Sequence, residues 1–143
     1  MNARILLIDD DPQLLGLMAD AFTRAGFEAF SANDGAVGAK LARAHDPHLV
    51  VTDILMPERE GIEIIVEFKR APRPPKVIAI SGVSRLAGLD LLALATAVGA
   101  DEIVNKPFRM SDLVELAERM LREDPLIGTC ASEGVCEASA PPP

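Results

Sequence analysis

The chain has 143 residues with a formal net charge of −8, and 49% of its residues are hydrophobic. This length and apolar content suit one globular domain with a full core, and the acidic balance disfavours direct binding to nucleic acid phosphates. No apolar stretch reaches membrane-spanning length without a charge, and the N-terminus does not resemble a cleavable signal, so we expect no membrane insertion and a cytoplasmic location.

Strand and helix patterns alternate along the chain. The apolar run at residues 5–8 predicts a strand, and Asp11 with Pro12 is typical of the helix start that follows it. Gly26 ends that helix pattern. The sequence then predicts a strand at 27–32, a helix after residues 33–35, a strand at 49–52, a helix over 62–71, a strand from about 76, a leucine-rich helix over about 85–98, a strand at 102–105 and a last helix capped by Ser111.

Five strand–helix units of this kind favour right-handed crossovers between parallel strands. We therefore predict an α/β fold of flavodoxin-like (βα)5 order, with one doubly wound, parallel, five-stranded sheet in a single domain. The domain is expected over residues 1–122, followed by a flexible polar C-terminal tail over 123–143. Cys130 and Cys136 in this tail match neither a common zinc spacing nor a Cys-x-x-Cys redox pair.

Polar residues follow four of the predicted strands directly. Asp9 and Asp10 follow the first strand, Asp53 the third, Ser81 the fourth and Lys106 the fifth. The carboxyl ends of parallel strands meet at one edge of a sheet, and ligands bind there in open α/β folds. Carboxylates gathered at one edge repel one another unless a hard cation joins them. The pattern therefore predicts a Mg²⁺ site with an anion beside it.

Four segments carry a family resemblance: residues 5–12, residues 52–57 with Gly61, Ser81-Gly82, and residues 105–108. In this order they resemble the signature of bacterial two-component response-regulator receiver domains, over roughly residues 3–122. The resemblance implies a stand-alone, chemotaxis-regulator-like phosphoprotein. Asp53 would receive a phosphoryl group from a histidine kinase or phosphotransfer protein, and the protein would signal by docking to a downstream target. It also implies a signalling protein and not an enzyme, apart from self-catalysed phosphorylation and dephosphorylation.

The resemblance also implies how a metal ion would be held. Asp10 and Asp53 would bind Mg²⁺ together with a phosphoryl oxygen, Asp9 would act through a bound water, and the backbone carbonyl of Leu55 would complete the protein ligands.

Two further side chains have roles implied by the same family. Lys106 would place its ammonium against a phosphoryl oxygen, with a cis peptide bond before Pro107. Ser81 would donate its hydroxyl to the phosphoryl group once that group has formed, and so draw the following loop inward.

Some residues point to alternatives. Ile103 occupies the strand position where receivers commonly carry an aromatic residue, so the resemblance does not extend to the usual aromatic readout of the signal. A receiver-like interaction module that does not use phosphorylation is one alternative. A metal-dependent phosphohydrolase with Asp9 and Asp11 as an Asp-x-Asp pair is another, although Pro12 does not suit it. His45 and His48 are expected to be polar loop residues at the sheet end away from Asp53.

The fourth helix is predicted to carry a protein-binding surface. At about 100° per residue, one apolar stripe contains Leu86, Leu89 and Leu92, and a second, nearly opposite stripe contains Leu91, Leu94 and Val98. A helix packs only one of its faces on a sheet, so the sheet would cover only one of these two stripes. The remaining stripe predicts a homodimer or target interface through this helix.

Overall fold

The computed structural model describes residues 3–54, 61–82, 85–86 and 89–122. Its strands are β1 (Arg4–Ile8), β2 (Glu28–Ala32), β3 (Leu49–Asp53), β4 (Lys76–Ser81), β5 (Arg85–Leu86), β6 (Leu89–Asp90) and β7 (Glu102–Asn105). Its helices are α1 (Pro12–Arg24), α2 (Gly35–His45), α3 (Gly61–Lys69), α4 (Leu91–Val98) and α5 (Met110–Arg122).

The main sheet has five parallel strands in the order β2-β1-β3-β4-β7. The chain moves outward from β1 to β2, then crosses back to β3 on the other side of β1, so the strand order reverses between β1 and β3. The predicted flavodoxin-like sheet is confirmed. The reversal places a crevice beyond the carboxyl ends of β1 and β3, where ligands bind in folds of this kind.

The sheet is covered by helices on both faces. Alternate residues of the central strands point to opposite faces of the sheet and so belong to two hydrophobic clusters. On one face, Leu6, Val50 and Val77 pack with residues of α3 and α4. On the other face, the intervening strand residues, such as Leu7 and Val51, pack with residues of α1 and α5. Burial on both faces explains why these strands are continuous apolar runs in the sequence.

The predicted start of α1 is confirmed. The Asp11 side chain accepts hydrogen bonds from the backbone N–H groups of Gln13 at 3.0 Å and Leu14 at 3.4 Å, and Pro12 is the first helical residue. A cap of this kind satisfies donors that the first helical turn leaves unpaired. The helix start also turns the chain immediately after Asp9 and Asp10, which holds both residues at the end of β1.

The predicted helix over 85–98 is wrong in its first half. Arg85–Leu86 and Leu89–Asp90 form an antiparallel pair of short strands, and α4 begins only at Leu91. A glycine at position 88 opposes a helix through this segment, because glycine costs about 1 kcal/mol relative to alanine inside a helix.

The two-stripe argument for a dimer therefore fails in its stated form, because Leu86 and Leu89 do not lie on α4. Val98, assigned to the second stripe, is half-buried and packs against the core. The side chains of the remaining stripe leucines, Leu91, Leu92 and Leu94, lie outside the described part of the structure.

Two helix boundaries also differ from the predictions by a residue or two. α5 begins at Met110, so Ser111 lies inside the helix and does not cap it; the carbonyl of Arg109 accepts the N–H groups of Asp112 and Leu113 instead. α3 ends at Lys69, two residues before the predicted end.

Candidate functional site

Three carboxylates meet at the carboxyl edge of the sheet. One oxygen each from Asp9, Asp10 and Asp53 lies within 4.8 Å of the others. The register explains this proximity, because Ile8 of β1 pairs with Thr52 of β3 and the acidic residues follow directly. Asp9 is 0% exposed and Asp53 6%, whereas Asp10 is exposed. The structure thus brings together the three predicted acidic residues.

Asp9 has two oxygens in different surroundings. Its Oδ1 accepts the backbone N–H of Asp11 at 2.9 Å. Its Oδ2 is buried without a hydrogen-bond partner among the described residues. Burial raises the pKa of the Asp9 carboxyl above its ordinary value; the Asp11 hydrogen bond opposes that rise, and the Asp53 carboxylate adds to it. A buried carboxylate oxygen with no donor is an unfavourable arrangement that a cation would relieve.

Lys106, the residue directly after β7, faces the same carboxylates. Its Nζ lies 3.1 Å from Asp53 Oδ2 and 3.7 Å from Asp9 Oδ2. Burial acts to lower the pKa of this ammonium, but the hydrogen bond to Asp53 and the nearby carboxylates outweigh it, so the pKa is raised. Lys106 therefore stays charged at neutral pH. The Lys106–Pro107 peptide bond is cis, as the sequence resemblance implies.

Ser81 ends β4, next to the strand that ends at Asp53. The residue is 2% exposed, and its carbonyl accepts the backbone N–H of Lys106 at 2.9 Å. This bond ties the end of β4 to the start of the loop that carries the lysine. The structure thus places the predicted hydroxyl and ammonium residues at the ends of adjacent strands, Ser81 as the last residue of β4 and Lys106 just after β7, at the edge where Asp53 lies.

Thr52 contributes to the site although the sequence interpretation did not single it out. It is fully buried, and its hydroxyl donates to the carbonyl oxygen of Asp53 at 3.1 Å. The signal for it was a hydroxyl residue inside a purely aliphatic strand. The backbone N–H of Asp11, which fixes the Asp9 carboxylate, carries no such signal because every residue except proline has one.

Two residues singled out from the sequence, Leu55 and Ile103, are not among the described contacts of the site. Leu55, whose backbone carbonyl is a predicted metal ligand, lies outside the described residues. Ile103, at the position usually aromatic in receivers, is half-buried and packs against the core cluster that includes Ala79 and Ala100.

The residues present fit a Mg²⁺ ion. The available donors are carboxylate oxygens, which magnesium prefers, and one of them, Asp9 Oδ2, is buried without a donor. The absence of histidine and cysteine from this cluster of the described residues argues against a zinc site.

Comparison with protein families gives one matching family model, described as the response regulator receiver domain, over residues 5–118. The transcriptional regulatory protein PrrA of Mycobacterium tuberculosis is 30% identical over 138 residues. That alignment covers 94% of this chain and 56% of PrrA, so the chain spans little more than half the length of this relative. The chemotaxis protein CheY of Thermotoga maritima is 31% identical over 121 residues, covering 84% of this chain and 98% of CheY.

Solved structures of receiver domains are also similar to this chain. A CheY-like receiver domain protein from Methanospirillum hungatei superposes with a TM-score of 0.79 at 27% identity, covering 86% of this chain and 96% of that one. The BeF3-activated DrrB receiver domain has a TM-score of 0.75 at 25% identity, covering 86% and 100% of the two chains. Within the described residues, none of the helices combines the length and the apolar character needed to cross a bilayer.

Proposed function

The chain belongs to the response regulator receiver domain family, and on that premise we propose that it accepts a phosphoryl group on Asp53 and signals by docking to another protein. The observation that carries this proposal is the environment of the Asp53 carboxylate. It lies at the carboxyl edge of the sheet, beside two further carboxylates and 3.1 Å from the Lys106 ammonium. The Lys106 ammonium can neutralise a phosphoryl oxygen, and the Asp9 and Asp10 carboxylates can hold a metal ion beside Asp53. Both features suit transfer of a negatively charged group to the Asp53 carboxylate.

In the proposed reaction, an oxygen of Asp53 attacks the phosphorus of a phosphohistidine on the partner. The new O–P bond forms as the N–P bond of the donor breaks, and the histidine leaves with its electron pair. Lys106 neutralises charge on the incoming phosphoryl oxygens, because its Nζ already lies against Asp53. Ser81 donates its hydroxyl to the phosphoryl group after transfer.

Mg²⁺ is the proposed cofactor: Asp10, Asp53 and the backbone carbonyl of Leu55 would hold the ion, and Asp9 would act through a bound water. When bound, the ion neutralises charge between the carboxylates and the phosphoryl oxygens. The chain itself holds Asp9 in place through the Asp11 N–H and keeps the Asp53 backbone fixed through the Thr52 hydroxyl.

The receiver domain spans residues 1–122, with a polar tail over 123–143. Its partners are a histidine kinase or phosphotransfer protein and a downstream target protein, and it acts in the cytoplasm without binding nucleic acid directly. It is a signalling protein whose only chemistry is its own phosphorylation and dephosphorylation.

A phosphohydrolase function is disfavoured by the position of Asp11. An Asp-x-Asp hydrolase needs the second carboxylate at the reacting group, but the Asp11 carboxylate accepts the N–H groups at the start of α1. It is therefore engaged in capping the helix.

Intact-mass spectrometry tests the proposal. The wild-type chain is incubated with acetyl phosphate and Mg²⁺, with acetyl phosphate and chelator, and as Asp53→Asn with Mg²⁺. We expect one added phosphoryl group only in the first sample, because the acidic cluster repels the donor without a cation. Equal incorporation by Asp53→Asn would overturn the assignment of Asp53. No incorporation from either acetyl phosphate or a phosphorylated histidine donor would favour the phosphorylation-independent interaction module.

A further inference from the structure

The end of the sheet opposite Asp53 contains a histidine bonded to a neighbouring strand through its ring. His48 lies one residue before β3, and its Nδ1 accepts the backbone N–H of Arg4, the first residue of β1, at 2.9 Å. The His48 N–H donates in return to the Arg4 carbonyl, also at 2.9 Å. On its other side, the His48 carbonyl accepts the N–H of Lys76, the first residue of β4, at 3.0 Å. His48 therefore links the first residues of two strands.

The Arg4 side chain extends this link to α2. Its Nε donates to the carbonyl of His45 at 2.7 Å, and its Nη2 donates to the carbonyl of Asp46 at 3.0 Å. These carbonyls belong to the C-terminus of α2, where the helix dipole favours a cation. The His45 ring also stacks on Phe30 of β2, with ring centroids 4.0 Å apart. The start of β1, the start of β3 and the end of α2 thus form one connected group.

The ring bond requires an unprotonated Nδ1. In neutral imidazole one ring nitrogen accepts and the other donates, whereas in imidazolium both nitrogens donate. Protonation at Nδ1 would replace the bond from Arg4 with two N–H groups facing each other. The charged residues on the elements packed here are Arg4 on β1, Asp46 after α2 and Lys76 on β4, and His45 is the other titratable residue.

We propose that His48 is a proton-sensitive latch. Its neutral ring holds the start of β1 to the start of β3, and protonation of the ring at acidic pH, which the bond from Arg4 opposes, releases the start of β1 together with the Arg4 contacts to α2. Histidine is the side chain whose charge ordinarily changes between about pH 5 and 8. The latch is independent of phosphoryl acceptance, because β3 separates it from Asp53 at the other end of the sheet.

The first test is nuclear magnetic resonance on the wild-type chain with ¹⁵N-labelled histidine. At about pH 7.5 we expect His48 as the tautomer with the proton on Nε2, and we expect the Arg4 amide resonance to shift in parallel with protonation of the His48 ring. A His48 ring that carries its proton on Nδ1 at this pH would overturn the proposal. So would an Arg4 amide resonance that does not respond to the histidine.

The second test compares unfolding of wild type and His48→Asn by urea. The asparagine Oδ1 occupies nearly the place of Nδ1 and accepts the Arg4 N–H at every pH, whereas the histidine must lose its bond on protonation. The unfolded chain takes up a proton at His48 near pH 6.5 and the latched chain does not, so the stability from His48 falls as pH falls. Between about pH 7.5 and 5.5, the wild-type unfolding equilibrium constant should rise about tenfold more than that of His48→Asn.

His45→Asn is the matched control, because His45 is exposed and the variant keeps the backbone carbonyl that accepts from Arg4 while losing only the stack on Phe30. It should keep the wild-type pH dependence of unfolding. An identical pH response in wild type and His48→Asn would overturn the latch. If His48→Asn does not fold, the tautomer and the Arg4 amide response of the wild-type chain decide the question.

Discussion

At the scale of single residues, the candidate site holds more negative than positive charge, and the chain's own hydrogen bonds and ion pairs offset only part of that excess. Three carboxylates share an edge with one ammonium, and the ammonium lies nearer to Asp53 than to Asp9. The Asp9 Oδ2 atom remains buried without a hydrogen-bond donor in the part of the chain described. Burial of an ionised group without a full set of partners costs stability. The metal-free site is therefore expected to reduce the stability of the fold.

Asp9→Asn tests this cost. Burial raises the pKa of Asp9 above the value of 3.8 for an unperturbed carboxyl. The folded chain therefore holds the proton more tightly than the unfolded chain, and stability is lost as pH rises from 3.8 through the raised folded pKa. In chelator at about pH 7.5, Asp9→Asn should be more stable than wild type in urea unfolding, and the difference should shrink on acidification.

The same variant should bind Mg²⁺ more weakly, with a dissociation constant raised at least about tenfold, or about 1.4 kcal/mol, because a carboxylate near the ion is lost. Asp20→Asn on the exposed face of α1 is the control and should change neither quantity by much. A loss of stability for Asp9→Asn in chelator would contradict the account.

At the scale of secondary structure, the strands were predictable and the segment before α4 was not. The central strands are buried on both faces, so each appears in the sequence as a continuous apolar run ending in a polar residue. The order of these runs was enough to predict the sheet and the acidic edge. The segment 85–90 has leucines at spacings that also suit a helix, and periodicity alone does not distinguish such a helix from a short hairpin.

Contacts between distant residues were the other part that the sequence did not reveal. Asp101, just before β7, accepts the N–H of Val77 and the Lys69 ammonium on Oδ2, each at 2.8 Å, and the same ammonium donates to the Pro75 carbonyl at 3.0 Å. Gly99 allows this approach, because a Cβ there would lie 2.8 Å from Lys69 Cγ. No local pattern marks such a contact, since its members come from α3, β4 and the loop before β7.

Because the Asp101 carboxylate accepts from both Val77 and Lys69, we expect Asp101→Ala to lose more stability than Asp101→Asn. Asp101→Ala removes the acceptor of the Val77 N–H and should lower the free energy of unfolding by about 1–3 kcal/mol. Asp101→Asn keeps an acceptor oxygen and loses only the charge, so its effect should be smaller. Urea unfolding of both variants against wild type measures the difference. If Asp101→Ala unfolds with the same free energy as wild type, the contact does not hold these elements together.

At the scale of the whole molecule, binding at one edge of the sheet should stabilise the entire fold. Asp9 and Asp10 directly follow β1, and Asp53 ends β3, which are two neighbouring inner strands of the sheet. A ligand that binds these residues only in the folded chain shifts the whole unfolding equilibrium. The net charge of −8 adds general repulsion, but that repulsion is spread over the chain and responds to any salt.

Mg²⁺ should therefore stabilise the chain specifically. At a free concentration about 100 times the dissociation constant, the gain is about 2.7 kcal/mol, seen as a higher thermal midpoint. Sodium chloride at matched ionic strength should give a much smaller change. Asp53→Asn should lose most of the magnesium effect, whereas Asp20→Asn should retain it. An equal shift with both salts would mean that general screening, and not a site, is responsible.

The central claim is that Asp53, and no other carboxylate of the cluster, takes the phosphoryl group. Borohydride reduces an aspartyl phosphate to homoserine, so treatment after incubation with acetyl phosphate marks the modified residue for peptide mass spectrometry. The account predicts homoserine at position 53 in Mg²⁺ and none there in chelator. Homoserine at Asp9 or Asp10, or an unmodified Asp53 in a chain that has gained a phosphoryl group, would contradict it.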